Sequence, residues 1–275
     1  MQSTDVRREL RKPIILTIGL HKGGAGKTIT TVEIAKCFVA MGLKVCVVDM
    51  DPQGNSTKYL IHGVHDDDPT IADLLVLTSR KMLMDFIPAS IRHGEGGVDV
   101  LPATGALATK LGSIDDTLLF GILRSPAFED YDFVLIDTPP SESPLMTSAY
   151  IAADYFLAVF PANDLTGEDG VMGVQSLVRR VKKEHDVDLR VIGAAITRVA
   201  STSLAKGARD MMEQRHPGFA LETVIHERPS RATEALVSPR VNLKNPLEEE
   251  YFQLAKEVYE IIAETEEESD GEEEV

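Results

Sequence analysis

The sequence predicts an α/β protein in which a mostly parallel, twisted sheet is flanked by helices on both faces of a single domain. Two observations predict it. Apolar runs of strand length recur at Ile14–Ile18, Lys44–Asp49, Val98–Thr104, Asp132–Asp137, Tyr155–Pro161, Val191–Thr197 and Thr223–Ile225. Segments of helical spacing separate many of them, and strands alternating with helices need crossover connections, which make the sheet parallel. Ligands of such sheets sit at the carboxyl ends of the strands.

The first strand, Ile14-Ile15-Leu16-Thr17-Ile18, runs into Gly19-Leu20-His21-Lys22-Gly23-Gly24-Ala25-Gly26-Lys27-Thr28. Behind it, Ile29, Val32, Ile34, Ala35, Phe38 and Val39 recur at helical spacing up to Gly42. Strand, glycine-rich turn and helix form the context of a phosphate-binding loop. Gly23, Gly24 and Gly26 let the backbone turn so that its N–H groups converge on phosphate oxygens at the helix N-terminus. Lys27 neutralises the β- and γ-phosphates of a nucleotide, and the Thr28 hydroxyl is a magnesium ligand. Gly23 through Ile29, together with Lys22, are the candidate nucleotide-binding residues.

Two further strand ends carry carboxylates. Lys44–Asp49 ends in Asp49-Met50-Asp51-Pro52-Gln53-Gly54-Asn55. A carboxylate there can orient an attacking water or hold the magnesium shell. Asp132-Phe133-Val134-Leu135-Ile136-Asp137-Thr138-Pro139-Pro140 is an apolar strand tipped by an acid, the Walker B arrangement, in which Asp137 hydrogen-bonds magnesium-bound water. The candidate metal set is Thr28, Asp49, Asp51 and Asp137.

Lys22 stands five positions before Lys27, so the loop reads K-G-G-x-G-K-T. This resembles the deviant phosphate loop of the ParA/MinD superfamily, whose extra lysine reaches across a dimer that sandwiches the nucleotides. D-x-D-P-Q-G-N, D-T-P-P and L-P-A-T resemble ParA-type partition ATPases further, and the resemblance spans roughly residues 13 to 262. It implies that Asp51 is required for hydrolysis, that Asp49 supports the metal and the phosphate loop, and that Lys22, Lys27 and Asp51 form the catalytic set. The chain departs from its relatives at two places. Thr197-Arg198 stands where they often put an adenine-reading Asn, and His226-Glu227-Arg228-Pro229 replaces their usual proline-containing turn.

The net charge of −16 is unevenly spread. Residues 264–275 hold eight acidic groups and no basic one, a composition that predicts a disordered tail from residue 263 onward. Met1 to Lys12 is a basic extension, which leaves 13–262 as the ATPase domain. Residues 165–245 carry 13 Lys/Arg against 10 Asp/Glu. Arg209, Arg215, Arg228, Arg231, Arg240 and Lys244 lie in this third, and of these Arg209, Arg228, Arg231, Arg240 and Lys244 are the candidate DNA-phosphate contacts. Cys37 and Cys46 fall in core patterns, which excludes a disulfide framework and argues against an iron-sulfur relative. No run approaches the ~18 apolar residues of a membrane span, and the acidic C-terminus is the reverse of a basic membrane-binding helix.

The resemblance implies a magnesium-dependent ATPase that dimerises on binding ATP and binds DNA without reading sequence. Hydrolysis to ADP and phosphate, stimulated by a ParB-like centromere-binding partner, would release it. The expected location is the cytoplasm, on the nucleoid. A related ATPase that positions a protein cargo, or a metabolic enzyme built on the same loop, are the alternatives.

Overall fold

The computed structural model describes residues 13–20, 23–65, 67–162 and 168–273. Met1 to Lys12, His21 and Lys22 lie outside the described residues. In chain order the first elements are β1 (Ile14–Gly19), α1 (Lys27–Ala40), β2 (Val45–Asp49), α2 (Asn55–Ile61), α3 (Ile71–Leu74) and α4 (Arg80–Ser90). Then come β3 (Arg92–His93), β4 (Val98–Leu101), α5 (Ala106–Thr109), α6 (Leu118–Leu123), β5 (Phe133–Asp137), α7 (Pro144–Ala152) and β6 (Tyr155–Pro161). The chain continues through α8 (Glu168–His185), β7 (Arg190–Val199), α9 (Thr202–Arg215), β8 (Ala220–His226), α10 (Pro229–Val237) and α11 (Pro246–Glu273).

One eight-stranded sheet runs in the order β3-β4-β2-β5-β1-β6-β7-β8. The short β3 pairs antiparallel with β4, and every other pairing is parallel. The expected architecture is therefore the observed one. Side chains alternate across the strands, so the sheet feeds two separate cores. Ile14, Leu16 and Ile18 point into the core with α1 and α11, whereas Ile15 points into the core with α7, α8 and α9. Cys37 and Cys46 are buried without a disulfide, and burial pushes both thiols up.

Local sequence sets the helix starts. Ser79, Ser143 and Ser201 each accept a hydrogen bond from a backbone N–H in the first turn of α4, α7 and α9, and Pro144 sits where its missing N–H costs nothing. Between residues 56 and 97 the sequence suggests a short helix at Ile71–Leu75, an acidic loop at His65–Pro69 and a turn at Gly94–Gly97, and gives no sign of α4. There α4 is an amphipathic helix carrying Pro88 near its end, and only Leu83, Ile87 and Ser90 are buried. No described helix is long and apolar enough to cross a membrane.

The acidic C-terminus departs from the disordered tail expected from its composition. α11 continues to Glu273. Its inner face explains why. Ile262 and Ala263 are fully buried, the buried Tyr155 hydroxyl donates to Glu266 (2.5 Å), and Arg190 donates to Ser269 (2.9 Å). Carboxylates on a helix surface are tolerated when one face is anchored; composition alone does not register that anchoring.

Between α1, α10 and α11 lies a buried ionic cluster. The Lys36 ammonium is 2.6 Å from Glu33 and 3.7 Å from Glu248, and it also donates to the Ala235 carbonyl (2.9 Å). Two carboxylates share one lysine out of water, and burial pushes Glu33 up to about 7 against the attraction of Lys36. A carboxyl raised in the fold contributes stability that is complete below its unfolded value of about 4.3 and is lost as pH rises through about 7.

Glu33→Gln should therefore gain stability over the parent between pH 5 and pH 8.5, by up to roughly 3 kcal/mol. Urea denaturation at both pH values checks this, and identical pH slopes would refute it. Truncation after Ala263 should lower stability by about 1–3 kcal/mol, because Tyr155 loses its acceptor. A thermal melt equal to that of the full chain would show that the anchoring contributes nothing.

Candidate active site

The strand order sets the site. β1 stands between β5 and β6, with β2 beyond β5, so the ends of β1, β2 and β5 lie side by side. The registers pair Ile18 with Asp137 and Asp49 with Asp137. Gly19 must be glycine here, because a Cβ would stand 2.9 Å from the Thr138 hydroxyl oxygen and 3.1 Å from the Phe156 ring. Thr138 in turn donates to the Ile18 carbonyl (2.9 Å) and locks the exit of β1 to the exit of β5.

Past Gly23 the loop turns through two left-handed residues, Gly24 (φ 74°) and Gly26 (φ 94°), and Gly26 caps α1. Those backbone angles are why glycine recurs in the motif. Lys27, at the start of α1, is only 6% exposed. Desolvation lowers its ammonium pKa, while the charges of Asp137 and Asp51 work in the opposite direction. A buried cation between carboxylates is prepared for an incoming polyanion.

The carboxylates divide the work. Asp49 is fully buried and already engaged: one oxygen accepts from the Asp51 N–H (3.1 Å), the other from the Thr57 N–H (2.9 Å) and hydroxyl (2.8 Å). The Thr57 hydroxyl also accepts from the Ala103 N–H (3.0 Å), which brings the L-P-A-T end of β4 into the same network. Asp49 thus pins residues 50–57 and shapes the site indirectly. Asp137 is also fully buried. The Ser56 hydroxyl donates to its Oδ2 (2.5 Å), Thr28 hydrogen-bonds the same carboxylate, and Oδ1 has no hydrogen-bond partner. Burial raises the pKa of both acids; the charge of Asp49 raises that of Asp137 further, and the charge of Asp51 raises both.

A magnesium ion suits this donor set. Hard oxygen donors, the Thr28 and Ser56 hydroxyls and an unpartnered carboxylate oxygen, surround the spot where a doubly charged cation would offset the repulsion between the acids. Asp51 is 8% exposed, and its Oδ1 accepts from the Gln53 N–H (2.9 Å).

Lys27, Thr28, Asp51 and Gly23–Ile29 all line or border one cleft of about 570 Å³. Its far wall was only partly legible. Thr197, Arg198, His226, Glu227, Arg228 and Pro229 form it, with Ala232 and Leu236 of α10 and Leu247 and Tyr251 of α11. These include both places where the sequence departs from its relatives. Thr197 donates to the Ala25 carbonyl (2.9 Å), so it braces the loop. His226 and Arg228 both hydrogen-bond Glu250 of α11. A second cavity of about 470 Å³ opens at the opposite end of the strands, among Arg124, Asp154, Arg190 and Glu266, remote from the loop.

The five candidate DNA contacts do not share one face. Arg209, on α9, packs with the opposite layer from α10 and pairs with Glu222 (3.5 Å). Arg228 pairs with Glu250 (2.7 Å) in the cleft wall, and Arg231 pairs with Glu234 (2.8 Å) on α10. Arg240 and Lys244 are exposed in the connection from α10 to α11.

Comparison with known proteins agrees with this geometry. A family model described as an AAA domain matches residues 14–191. The chain is 32% identical over 254 residues to the sporulation initiation inhibitor protein Soj of Bacillus subtilis, covering 89% of this chain and 97% of that one. It is 30% identical over 224 residues to the chromosome-partitioning ATPase Soj of Thermus thermophilus, covering 80% and 83%. McdA of Cyanothece, solved in complex with ATP, has the same fold at a TM-score of 0.75 and 23% identity, over 89% of this chain and 95% of that one. With its phosphate loop, two buried strand-end carboxylates and parallel sheet, the chain belongs to the ParA/MinD-type P-loop partition ATPases.

Proposed function

We propose that this protein is a DNA-partition ATPase that binds ATP with magnesium at Gly23–Ile29, dimerises on it, holds DNA non-specifically and is released by hydrolysis. The observation that carries the reading is the cleft that joins a buried Lys27, Thr28 and Asp51 at one glycine loop, with the buried Asp137 held by Ser56 at the neighbouring strand end. Backbone N–H groups of the loop and Lys27 take the phosphate charge. Magnesium, when bound, adds charge neutralisation at the phosphates. Asp51, nearly buried beside the loop, orients the attacking water.

Lys22, outside the described residues, is assigned by the motif to the partner subunit's phosphates. ATP favours the dimer to the extent that it contacts both subunits there. A ParB-like centromere-binding protein is the proposed stimulator of hydrolysis, and the nucleoid the proposed location. Arg240 and Lys244, exposed and without a carboxylate partner among the described residues, are the favoured DNA contacts; Arg209 on the other layer is the least favoured.

Duplex DNA binding measured with magnesium and ATP, ADP or no nucleotide tests this. ATP-dependent binding should survive Asp51→Ala and vanish in Lys22→Ala. Replacing Arg240 and Lys244 together by Ala should flatten the salt slope by about 2, whereas Arg209→Ala should leave it unchanged. Absence of DNA binding in every nucleotide state would overturn the partition reading and point to a protein or metabolite target. In a separate assay, Asp137→Asn should weaken the magnesium enhancement of nucleotide binding by roughly 10–100-fold. An unchanged magnesium titration would remove Asp137 from the metal shell.

A further inference from the structure

Two consecutive residues at the tip of β7 hold two consecutive carbonyls of the phosphate loop. The Thr197 hydroxyl donates to the Ala25 carbonyl and the Arg198 Nη1 donates to the Gly24 carbonyl, each at 2.9 Å. Across a planar trans peptide the C=O and the following N–H point in opposite directions. Drawing these carbonyls toward β7 therefore turns the N–H groups of Ala25 and Gly26 away from it, the orientation in which a loop receives an anion.

Arg198 is held for this task at a cost. It has φ 55°, a left-handed backbone unusual for a residue with a Cβ. Glu227 accepts from its Nε (3.1 Å) and Nη2 (2.8 Å), which leaves Nη1 aimed at Gly24. The Glu227 N–H donates to the Val199 carbonyl (2.8 Å), so the acid itself is fixed to β7. Side chains of this pair are 52% and 39% exposed, and an ion pair that open contributes at most about 1 kcal/mol to stability. A contact so weak for folding, kept at a strained residue in the cleft wall, makes better sense as geometry.

We propose that Arg198, oriented by Glu227, is a positioning residue that pre-shapes the phosphate loop, so that it sets affinity for the polyphosphate rather than for the base. The proposal rests on the reading of the cleft as a nucleotide site. Titration of ADP with magnesium, and of inorganic pyrophosphate, into the full chain separates the two. Arg198→Ala and Arg198→Gly should each weaken both ligands about tenfold, since glycine relieves the backbone strain but supplies no donor.

Glu227→Gln should weaken both by a smaller factor. Arg198→Lys should fail to restore binding, because one ammonium cannot serve a carbonyl and a carboxylate in the guanidinium's fork geometry. In turnover assays KM should rise while kcat changes little, and the melting temperatures should stay within a few degrees of the parent. If the parent binds and Arg198→Ala and Arg198→Gly bind equally well, Arg198 has no positioning role. If the parent binds neither ligand, the nucleotide reading falls and this inference with it.

Discussion

The site depends on one arrangement that water would never permit: two carboxylates, Asp49 and Asp137, placed side by side on the ends of adjacent parallel strands and buried completely. Parallel pairing fixes their registry, and the sheet's own helices remove the solvent. The repulsion is managed by hydroxyls. Thr57 donates to one acid and Ser56 to one oxygen of the other, and both come from the same turn of α2. The loop between β2 and α2 is therefore shaped by the very charges it screens. Asp51 acquires its place from this, because its backbone N–H is one of the donors to Asp49.

Much of this was legible because it is local. Glycines that need left-handed angles and a lysine at the first helical position are encoded within a few residues of one another, and each acid is marked by the apolar strand it ends; the parallel register then sets those strand ends side by side. The far wall was less legible because it is assembled from β7, β8, α10 and α11, whose meeting depends on strand order. Thr197 illustrates the limit. Its sequence position marks a departure from relatives, but only the fold shows that its hydroxyl bonds the Ala25 carbonyl. The acidic C-terminus misled for a related reason: composition weighs charges along the chain, whereas Tyr155 and Arg190, more than 75 positions away, decide whether the helix is anchored.

Charge in the C-terminal third is likewise distributed by the fold rather than by the sequence. Counting cations along the chain gives a basic segment, yet carboxylates from β8, α10 and α11 meet several of them across the structure. Arg228 is drawn into the cleft wall with His226 by Glu250, where it serves the architecture of the site. Arg240 and Lys244 are left exposed on the connection between α10 and α11, a loop continuous with the helix that lines the cleft.

α11 has one more consequence. Its 28 residues make a rod about 40 Å long. Near one end, Glu250 holds the cleft wall and Tyr251 meets the Thr30 hydroxyl of α1 (3.3 Å). Midway, Glu257 accepts two N–H groups from β8, and at the other end Glu266 and Ser269 hold the starts of β6 and β7. A continuous helix fastened at three heights cannot bend locally without breaking its own ladder. One element thus ties the cleft wall at one end of the sheet to the starts of β6 and β7 at the other.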